Sequence, residues 1–221
     1  EISLEERYFV RSLLKRMIGM DILREEENRI VIGEVNPVKD VRSLLSRSFQ
    51  AVGFLLEYLA SVAEGVGRPE VISEVEEEVD KFRMALERAV HKALSFSSSS
   101  QELVGLEAFH SAQIMRFLER IADHVKAVAD ELPIEGDQAT LLKLLRKACT
   151  IFKKCIRAYE SEDIKLADEL IEEKTVFRDE ALSSELGEPL IAYHLSRIVD
   201  YVSDISELLI DEFVLKNIKA S

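Results

Sequence analysis

Residues that interrupt helices are scarce in this sequence of 221 residues, which holds eight glycines and four prolines. A chain with so few breaks favours long helices. Long hydrophobic runs are also lacking. A membrane-spanning helix needs about 18 consecutive apolar residues, and no run in the sequence is close to that length. No signal-peptide pattern opens the sequence. We therefore expect a globular, cytoplasmic protein built from helices.

Cysteines are few, and the common catalytic motifs are absent from the sequence. The two cysteines, Cys149 and Cys155, stand on one predicted helix at a spacing that fits neither a CxxC motif nor a disulfide bond, as expected for reduced cytosolic thiols. There is no HExxH motif, no phosphate-cradling glycine loop and no Gly-x-Ser-x-Gly motif. We interpret His124 and His194 as surface or boundary residues. The protein is therefore not expected to be an enzyme.

Positive charge is in deficit. The chain has 42 acidic residues against 29 lysines and arginines, which gives a formal net charge of −13. Most of such a surface repels a polyanion. Direct binding of nucleic acid by these residues is therefore not expected, whereas a cationic partner surface or metal cations would be attracted.

A short appendage precedes the main helical region. Ser3 and Glu6 form a capping box for a helix predicted over residues 1–18, and Gly19 is placed at the C-terminal end of that helix. Apolar residues on both sides of the polar turn EEEN then predict a small β-hairpin. Asn36-Pro37 ends the appendage, which we assign to residues 1–36.

Helical periodicity continues from about residue 38 almost to the end of the chain. The run SFSSSS and turns rich in glycine and proline divide this region into segments. The resulting prediction is six helices, over residues 38–64, 70–95, 102–132, 138–160, 162–184 and 189–216.

An internal repeat groups these helices into two sets of three. LERIADHVKAVADEL at residues 118–132 aligns with LSRIVDYVSDISELL at residues 195–209, at a constant offset of 77 residues. Packing does not require the shared Arg-Ile-x-Asp core, so the match indicates duplication of a three-helix unit. We predict an all-α fold of two tandem three-helix bundles, over residues 37–135 and 136–221, behind the appendage.

Two pairs of carboxylates stand four residues apart on neighbouring predicted helices: Glu76 with Asp80, and Glu119 with Asp123. Residues at this spacing share a helical face, with Cβ atoms about 6 Å apart. Each pair can therefore offer oxygen ligands to hard cations or to a multinuclear metal site. On a helical wheel, however, Glu119 and Asp123 fall opposite the apolar stripe of their helix. A solvated acidic outer face is thus the alternative, and the spacing alone leaves both open.

Two segments resemble the signatures of the PhoU family of phosphate-transport regulators. FLERIADHVKAVADEL at residues 117–132 is similar to the family's Glu-Arg-Ile-small-Asp-His signature, and VISEVEEEVDKF at residues 71–82 resembles the signature of its second helix. The resemblance covers about residues 38–216. The segment RMIGMDILREEENRIVI looks like the one that precedes the PhoU unit in archaeal members, which often carry a swapped-hairpin DNA-binding domain further upstream.

This resemblance implies two three-helix bundles and a cytosolic regulator of phosphate uptake that acts through protein–protein contacts. It implies binding to a phosphate ABC transporter or a sensor protein, which includes peripheral contact with membrane proteins, and we expect a homodimer. Some family members bind iron or zinc through E/D-x-x-x-D motifs. Those motifs point to Glu76, Asp80, Glu119 and Asp123 as metal ligands here, and the function would then depend on the metal.

The second repeat departs from the family pattern. Ser196 stands where the motif has glutamate, although Asp200 remains. Aligning LIEEKTVFRDEAL with the second-helix signature places Lys174 and Arg178 at the acidic positions. The metal site is therefore expected in the first repeat, and Asp200 is the one candidate ligand of the second.

Two other functions stay open. The first is a PhoU-like accessory module of an ion transporter or of a transcriptional regulator, unrelated to phosphate. The second is a metalloenzyme built on the acidic helices. The genes that neighbour this one would separate the first alternative from a phosphate regulator, and a phosphatase assay with added metals would test the second.

Overall fold

The computed structural model describes residues 2–35, 40–96, 102–184 and 186–219. Within these ranges the chain forms seven helices and one β-hairpin. The elements are α1 (Leu4–Leu14), β1 (Met20–Glu25), β2 (Ile30–Glu34), α2 (Val41–Ala63), α3 (Pro69–Phe96), α4 (Glu102–Asp130), α5 (Gln138–Ser161), α6 (Ile164–Ser183) and α7 (Pro189–Lys219).

The predicted capping box begins α1. The Glu6 backbone N–H donates to the Ser3 hydroxyl at 3.2 Å, and the Ser3 backbone N–H donates to the Glu6 carboxylate at 2.8 Å. The predicted end of this helix is wrong, because α1 stops at Leu14 with Lys15 as its C-cap. Gly19 has a φ of +78° in the turn before β1. Its left-handed backbone therefore directs the chain into the hairpin and does not end the helix.

The predicted hairpin is confirmed. β1 and β2 pair antiparallel with Ile22 opposite Ile32, and a register shift follows at residues 22–24. Two contacts tie the appendage to α3: the Arg88 guanidinium donates to the Ile18 carbonyl at 2.5 Å, and Lys92 pairs with Glu34 at 3.1 Å. The appendage therefore lies beside the first repeat.

The six long helices begin and end within about three residues of their predicted bounds. Aspartates cap three of them. The side chains of Asp40, Asp137 and Asp163 accept backbone N–H groups in the first turns of α2, α5 and α6, which satisfies donors that have no partner within the helix. These side chains help to place the helix starts where the sequence predicts them.

The long helices form two sets of three. α2, α3 and α4 all contact one another, as do α5, α6 and α7, and α4 with α7 and α2 with α5 join the two sets. Ile121 of α4 and Ile198 of α7, equivalent in the repeat, are both completely buried. The predicted all-α fold class is confirmed, while the boundaries at residues 37–135 and 136–221 stay a prediction. None of the helices described is long and apolar enough to cross a bilayer.

Candidate functional site

The acidic pairs of the first repeat lie on the seam between α3 and α4. Spacing by four places Glu76 and Asp80 on one face of α3, and the α4 pair faces them. The charges are close, since Asp80 acts on the pKa of Glu119 and of Asp123, and Glu76 acts on that of Asp123. The side chains of Glu76 and Glu119 are each only 16% exposed. The alternative of a solvated acidic face therefore does not describe Glu76 and Glu119, because α3 covers part of the side of α4 that lies away from its apolar stripe, whereas Asp80 and Asp123 are each 36% exposed.

Burial is the main influence on the α4 carboxylates. It raises the pKa of Glu119 above its ordinary value, and the neighbouring charge of Asp123 raises it further, while Arg83 and Arg120 act in the opposite direction. Burial also raises the pKa of Asp123; Arg120 opposes this effect, and Glu76 and Asp80 add to it. The ionised carboxylates therefore repel one another and require positive charge nearby.

Arg83 supplies positive charge at the centre of the seam. Its Nη2 lies 2.7 Å from Asp80 Oδ1, its Nη1 lies 3.1 Å from Glu87 Oε2, and its Nε lies 3.4 Å from Glu119 Oε1. Asp80 and Glu87 stand one turn to either side of Arg83 on α3, whereas Glu119 comes from α4. A single guanidinium therefore links the two helices.

Further basic residues complete the pairing at the edges of the seam. Lys126 Nζ lies 3.0 Å from Glu76 Oε2. Arg120 lies 3.3 Å from Asp123 Oδ2 and 3.7 Å from Glu119 Oε2. Each of the four predicted metal ligands in this repeat thus has a basic partner in the structure.

A recess of about 250 Å³ opens beside the seam. Three acidic and three basic side chains line it, namely Glu76, Glu77, Asp80, Arg16, Lys81 and Lys126. Arg16 comes from the appendage, so the segment after α1 reaches this side of the seam. The lining balances charge of both signs and does not offer a bare set of oxygen ligands.

The side chains of the seam do not offer a ready site for a metal ion. Among the residues described, no three histidine, cysteine, aspartate or glutamate side chains form a group that could hold one. As the side chains stand, a metal on the seam would have to displace Arg83 and Lys126 from their carboxylates. The charges of these carboxylates act on one another across the seam, and Glu76, Asp80, Glu119 and Asp123 as ligands of an iron or zinc ion stay a prediction.

Asp200, the candidate ligand of the second repeat, has a different environment. One of its oxygens pairs with Arg197 at 2.7 Å, and the other is buried without a hydrogen-bond partner. Ser196 is buried and donates to the carbonyl of Ala192 at 2.8 Å. Burial raises the pKa of Asp204, the next carboxylate on this face, and the charge of Lys174 opposes the change. The role of Asp200 as a ligand stays a prediction.

The contact between α4 and α7 brings two histidines together. The Nδ1 atoms of His124 and His194 lie 2.7 Å apart, and both side chains are half-buried. Burial lowers the pKa of His124 to about 4, with smaller effects from His194, Arg197 and Arg120. Burial also lowers the pKa of His194, which Glu131 opposes. Their partial burial agrees with the interpretation of both as surface or boundary residues, which did not predict that the two histidines pair between the repeats.

The internal repeat contains the sequence pattern from which this histidine pair could have been predicted. At an offset of 77, Phe117 corresponds to His194 and His124 corresponds to Tyr201. The structure stacks Phe117 on Tyr201 with ring centroids 5.8 Å apart, and places the His124 and His194 rings 5.0 Å apart. The two aromatic pairs are thus equivalent under exchange of the repeats.

Comparison with known proteins identifies one domain. Residues 60–132 match the PhoU domain. The match begins near the end of α2 and includes all of α3 and α4, and therefore the whole seam described above. The search of curated proteins finds no match to this chain.

Proposed function

Because this chain carries a PhoU domain, we propose that it is a cytoplasmic regulator of phosphate uptake that acts by binding other proteins. The match at residues 60–132 is the observation that carries this proposal. The PhoU family is regulatory and not enzymatic. A binding role also agrees with the seam, whose carboxylates are already paired with basic side chains.

The proposed partner is a phosphate ABC transporter or a sensor protein. With a net charge of −13, the chain attracts a cationic surface and gains association rate from that attraction. The exposed carboxylates along the seam, among them Glu77 and Asp130, are the groups that a basic partner surface would meet first. We also propose that the protein is a homodimer.

Removing the protein from its organism tests the phosphate role. The deletion strain is expected to take up radiolabelled phosphate at an altered rate when phosphate is plentiful, and the wild-type gene is expected to restore the rate. Unchanged phosphate uptake together with altered transport of another ion, or altered transcription, would support instead the accessory module unrelated to phosphate.

A second experiment tests the binding surface. The affinity-tagged protein is expected to retain components of the phosphate transporter or sensor from extracts of the same organism. Reversing two exposed charges by Glu77→Arg with Asp130→Arg should reduce this retention. Reversing an exposed charge of α6 by Glu172→Arg is the matched control and should leave it unchanged. Equal retention by all variants would place the binding surface elsewhere.

A further inference from the structure

The appendage concentrates the exposed apolar surface of the protein. Seventeen large hydrophobic side chains are exposed in the described part of the chain, and eight of them lie between residues 4 and 35. None of residues 2–35 is buried. A helix as short as α1 is marginally stable by itself, and so is a two-stranded hairpin. The appendage would therefore gain stability from a surface that covers it.

The apolar side of α1 is the side that the hairpin leaves free. The helix is held to the hairpin by Arg7, whose guanidinium donates to the Glu25 carboxylate and to the carbonyls of Glu26 and Glu27, each at 2.7 Å. On a helical wheel, the opposite side of α1 carries four exposed apolar residues, which we call the α1 face: Leu4, Tyr8, Phe9 and Leu13. The fold of the single chain therefore does not use this face.

The residues of this face follow the same order from either end of the helix. An apolar residue, a polar residue and an aromatic residue come in that order from the start (Leu4, Glu5, Tyr8) and from the end (Leu13, Ser12, Phe9). The centre of the pattern lies between the two aromatic residues. A two-fold interface joins the same patch of both copies and must be self-complementary. The α1 face meets this condition when two copies of α1 pack antiparallel.

Charge also favours a second copy of α1. The first turn of α1 carries Glu5 and Glu6, and its last turn carries Arg11, with Lys15 as the C-cap. Antiparallel packing places the acidic start of each helix beside the basic end of the other. Residues 4–16 hold four basic and two acidic residues, a formal charge of +2 in a chain of −13. Two copies therefore meet less repulsion here than across the rest of their acidic surface.

The size of the α1 face suits a reversible dimer. A fully covered aromatic side chain buries about 150–250 Å², and Tyr8 and Phe9 are 74% and 61% exposed in the single chain. The four rings of two copies thus supply about a third to a half of the roughly 1,200 Å² that the smallest stable interfaces bury. The leucines add to this area.

A lipid surface fits the α1 face less well than a second copy does. On a helical wheel, Glu5 and Ser12 fall between Tyr8 and Phe9, at the middle of the face. A bilayer would cover the Glu5 carboxylate without supplying a cation, which is costly. The basic end of a second α1 supplies one.

We infer that α1 is the helix through which two copies of this chain associate. The two helices pack antiparallel through their α1 faces, with the two-fold axis between Tyr8 and Phe9. This inference rests on the homodimer of the proposed function and names its surface. The proposed role in phosphate uptake does not depend on it.

Analytical ultracentrifugation over a wide range of protein concentrations tests the α1 face. The wild type is expected to sediment as a reversible dimer. Tyr8→Gln with Phe9→Gln should weaken the dimer about tenfold or more, because both aromatic side chains are lost from its centre. Val176→Gln with Leu182→Gln removes two similarly exposed apolar side chains from α6. This matched control should leave the dimer unchanged, and circular dichroism checks that both variants keep their helices.

Disulfide cross-linking tests the antiparallel packing. In this arrangement position 5 of one helix lies level with position 12 of the other, whereas the two copies of either position lie about 10 Å apart along the helix axis. A mixture of Glu5→Cys and Ser12→Cys should therefore form a cross-linked dimer under oxidation. Neither variant alone should do so, nor should the wild type with Cys149 and Cys155. A cross-link formed by Glu5→Cys alone would contradict the antiparallel packing.

Three further results would overturn the inference. A wild type that stays monomeric at every concentration would show that α1 does not join two copies, and it would leave the phosphate role to the uptake measurement on the deletion strain. Equal dimerisation of the wild type and of Tyr8→Gln with Phe9→Gln would place the contact elsewhere. A monomer that co-sediments with anionic lipid vesicles, and loses this binding in the same variant, would assign the α1 face to a membrane surface.

Discussion

The two three-helix repeats share their architecture but differ at their acidic faces. In the first repeat, α3 and α4 place the carboxylates of Asp80, Glu87 and Glu119 around the guanidinium of Arg83. In the second, a buried serine replaces one carboxylate of α7 and basic residues stand at the acidic positions of α6. The cores have stayed alike because a buried position must be apolar and of the right volume. The faces have diverged because they need only a balance of charge.

The contact between α4 and α7, which joins the two repeats, also keeps its packing while its residues differ. One aromatic pair is Phe117 with Tyr201, and its equivalent is His124 with His194. Flat rings of similar size fill both places, so the packing of α4 against α7 is preserved. Histidine, however, is the side chain whose ordinary pKa lies near neutral pH, so the repeats contribute different chemical groups to a symmetric contact.

The largest expected effect tests the equivalence of the cores. Ile121→Ala and Ile198→Ala each remove a completely buried side chain, and each should lower the free energy of unfolding by about 2–5 kcal/mol. Urea denaturation measures both values. A large loss for one variant and none for the other would show that the repeats do not share a register.

A smaller effect is expected where the faces differ. Arg83→Met breaks three ion pairs at a mostly buried position and should cost about 1–3 kcal/mol of unfolding free energy, between the values for exposed and for buried pairs. Lys174→Met in the second repeat should cost about 1 kcal/mol or less. Chemical denaturation measures both values. Equal losses of unfolding free energy would contradict the expected difference between the two acidic faces.

The helix caps should respond alike in the two repeats. Asp40 accepts the backbone N–H of Ser43, and Asp163 accepts that of Leu166, both at 3.1 Å. Replacing either aspartate by alanine should cost about 1 kcal/mol. Thermal melts of the two single variants measure this. If only one of the two variants lost stability, the expectation that the two caps contribute equally would be wrong.

The smallest effect at neutral pH is expected at the joint. His124→Tyr with His194→Phe copies the equivalent aromatic pair into this place. In the folded wild type the pKa of His124 is lowered to about 4, whereas an unfolded histidine titrates at about 6.5. The unfolded chain thus binds more protons between these values, so wild-type stability should fall as the pH drops from about 6.5 towards about 4.

The double variant should lose this part of the pH dependence, while the neighbouring Arg120, Arg197 and Glu131 stay in place. Unfolding free energies measured at pH 7 and pH 5 provide the comparison. A wild type and a variant with parallel pH profiles would show that the histidine pair does not contribute.

Much of the fold could be predicted from the sequence, and the candidate site only in part. The spacing of apolar residues predicted the six long helices, and the capping box predicted the start of α1. The end of α1 was missed because Gly19 serves the following turn. A helical wheel of α4 alone places Glu119 opposite the apolar stripe, but the position of α3 over that side of the helix depends on tertiary packing.

The sequence by itself determined the helices, their duplication and the pairing of carboxylates on single helical faces, because these depend on spacing along one chain segment. Only the tertiary structure decided which cation reaches those carboxylates and which rings meet between the repeats. Arg83 lies on the same helix as Asp80 and Glu87, yet its link to Glu119 depends on the packing of α3 against α4. His124 and His194 are 70 residues apart, and only the crossing of α4 and α7 brings their ring nitrogens into contact.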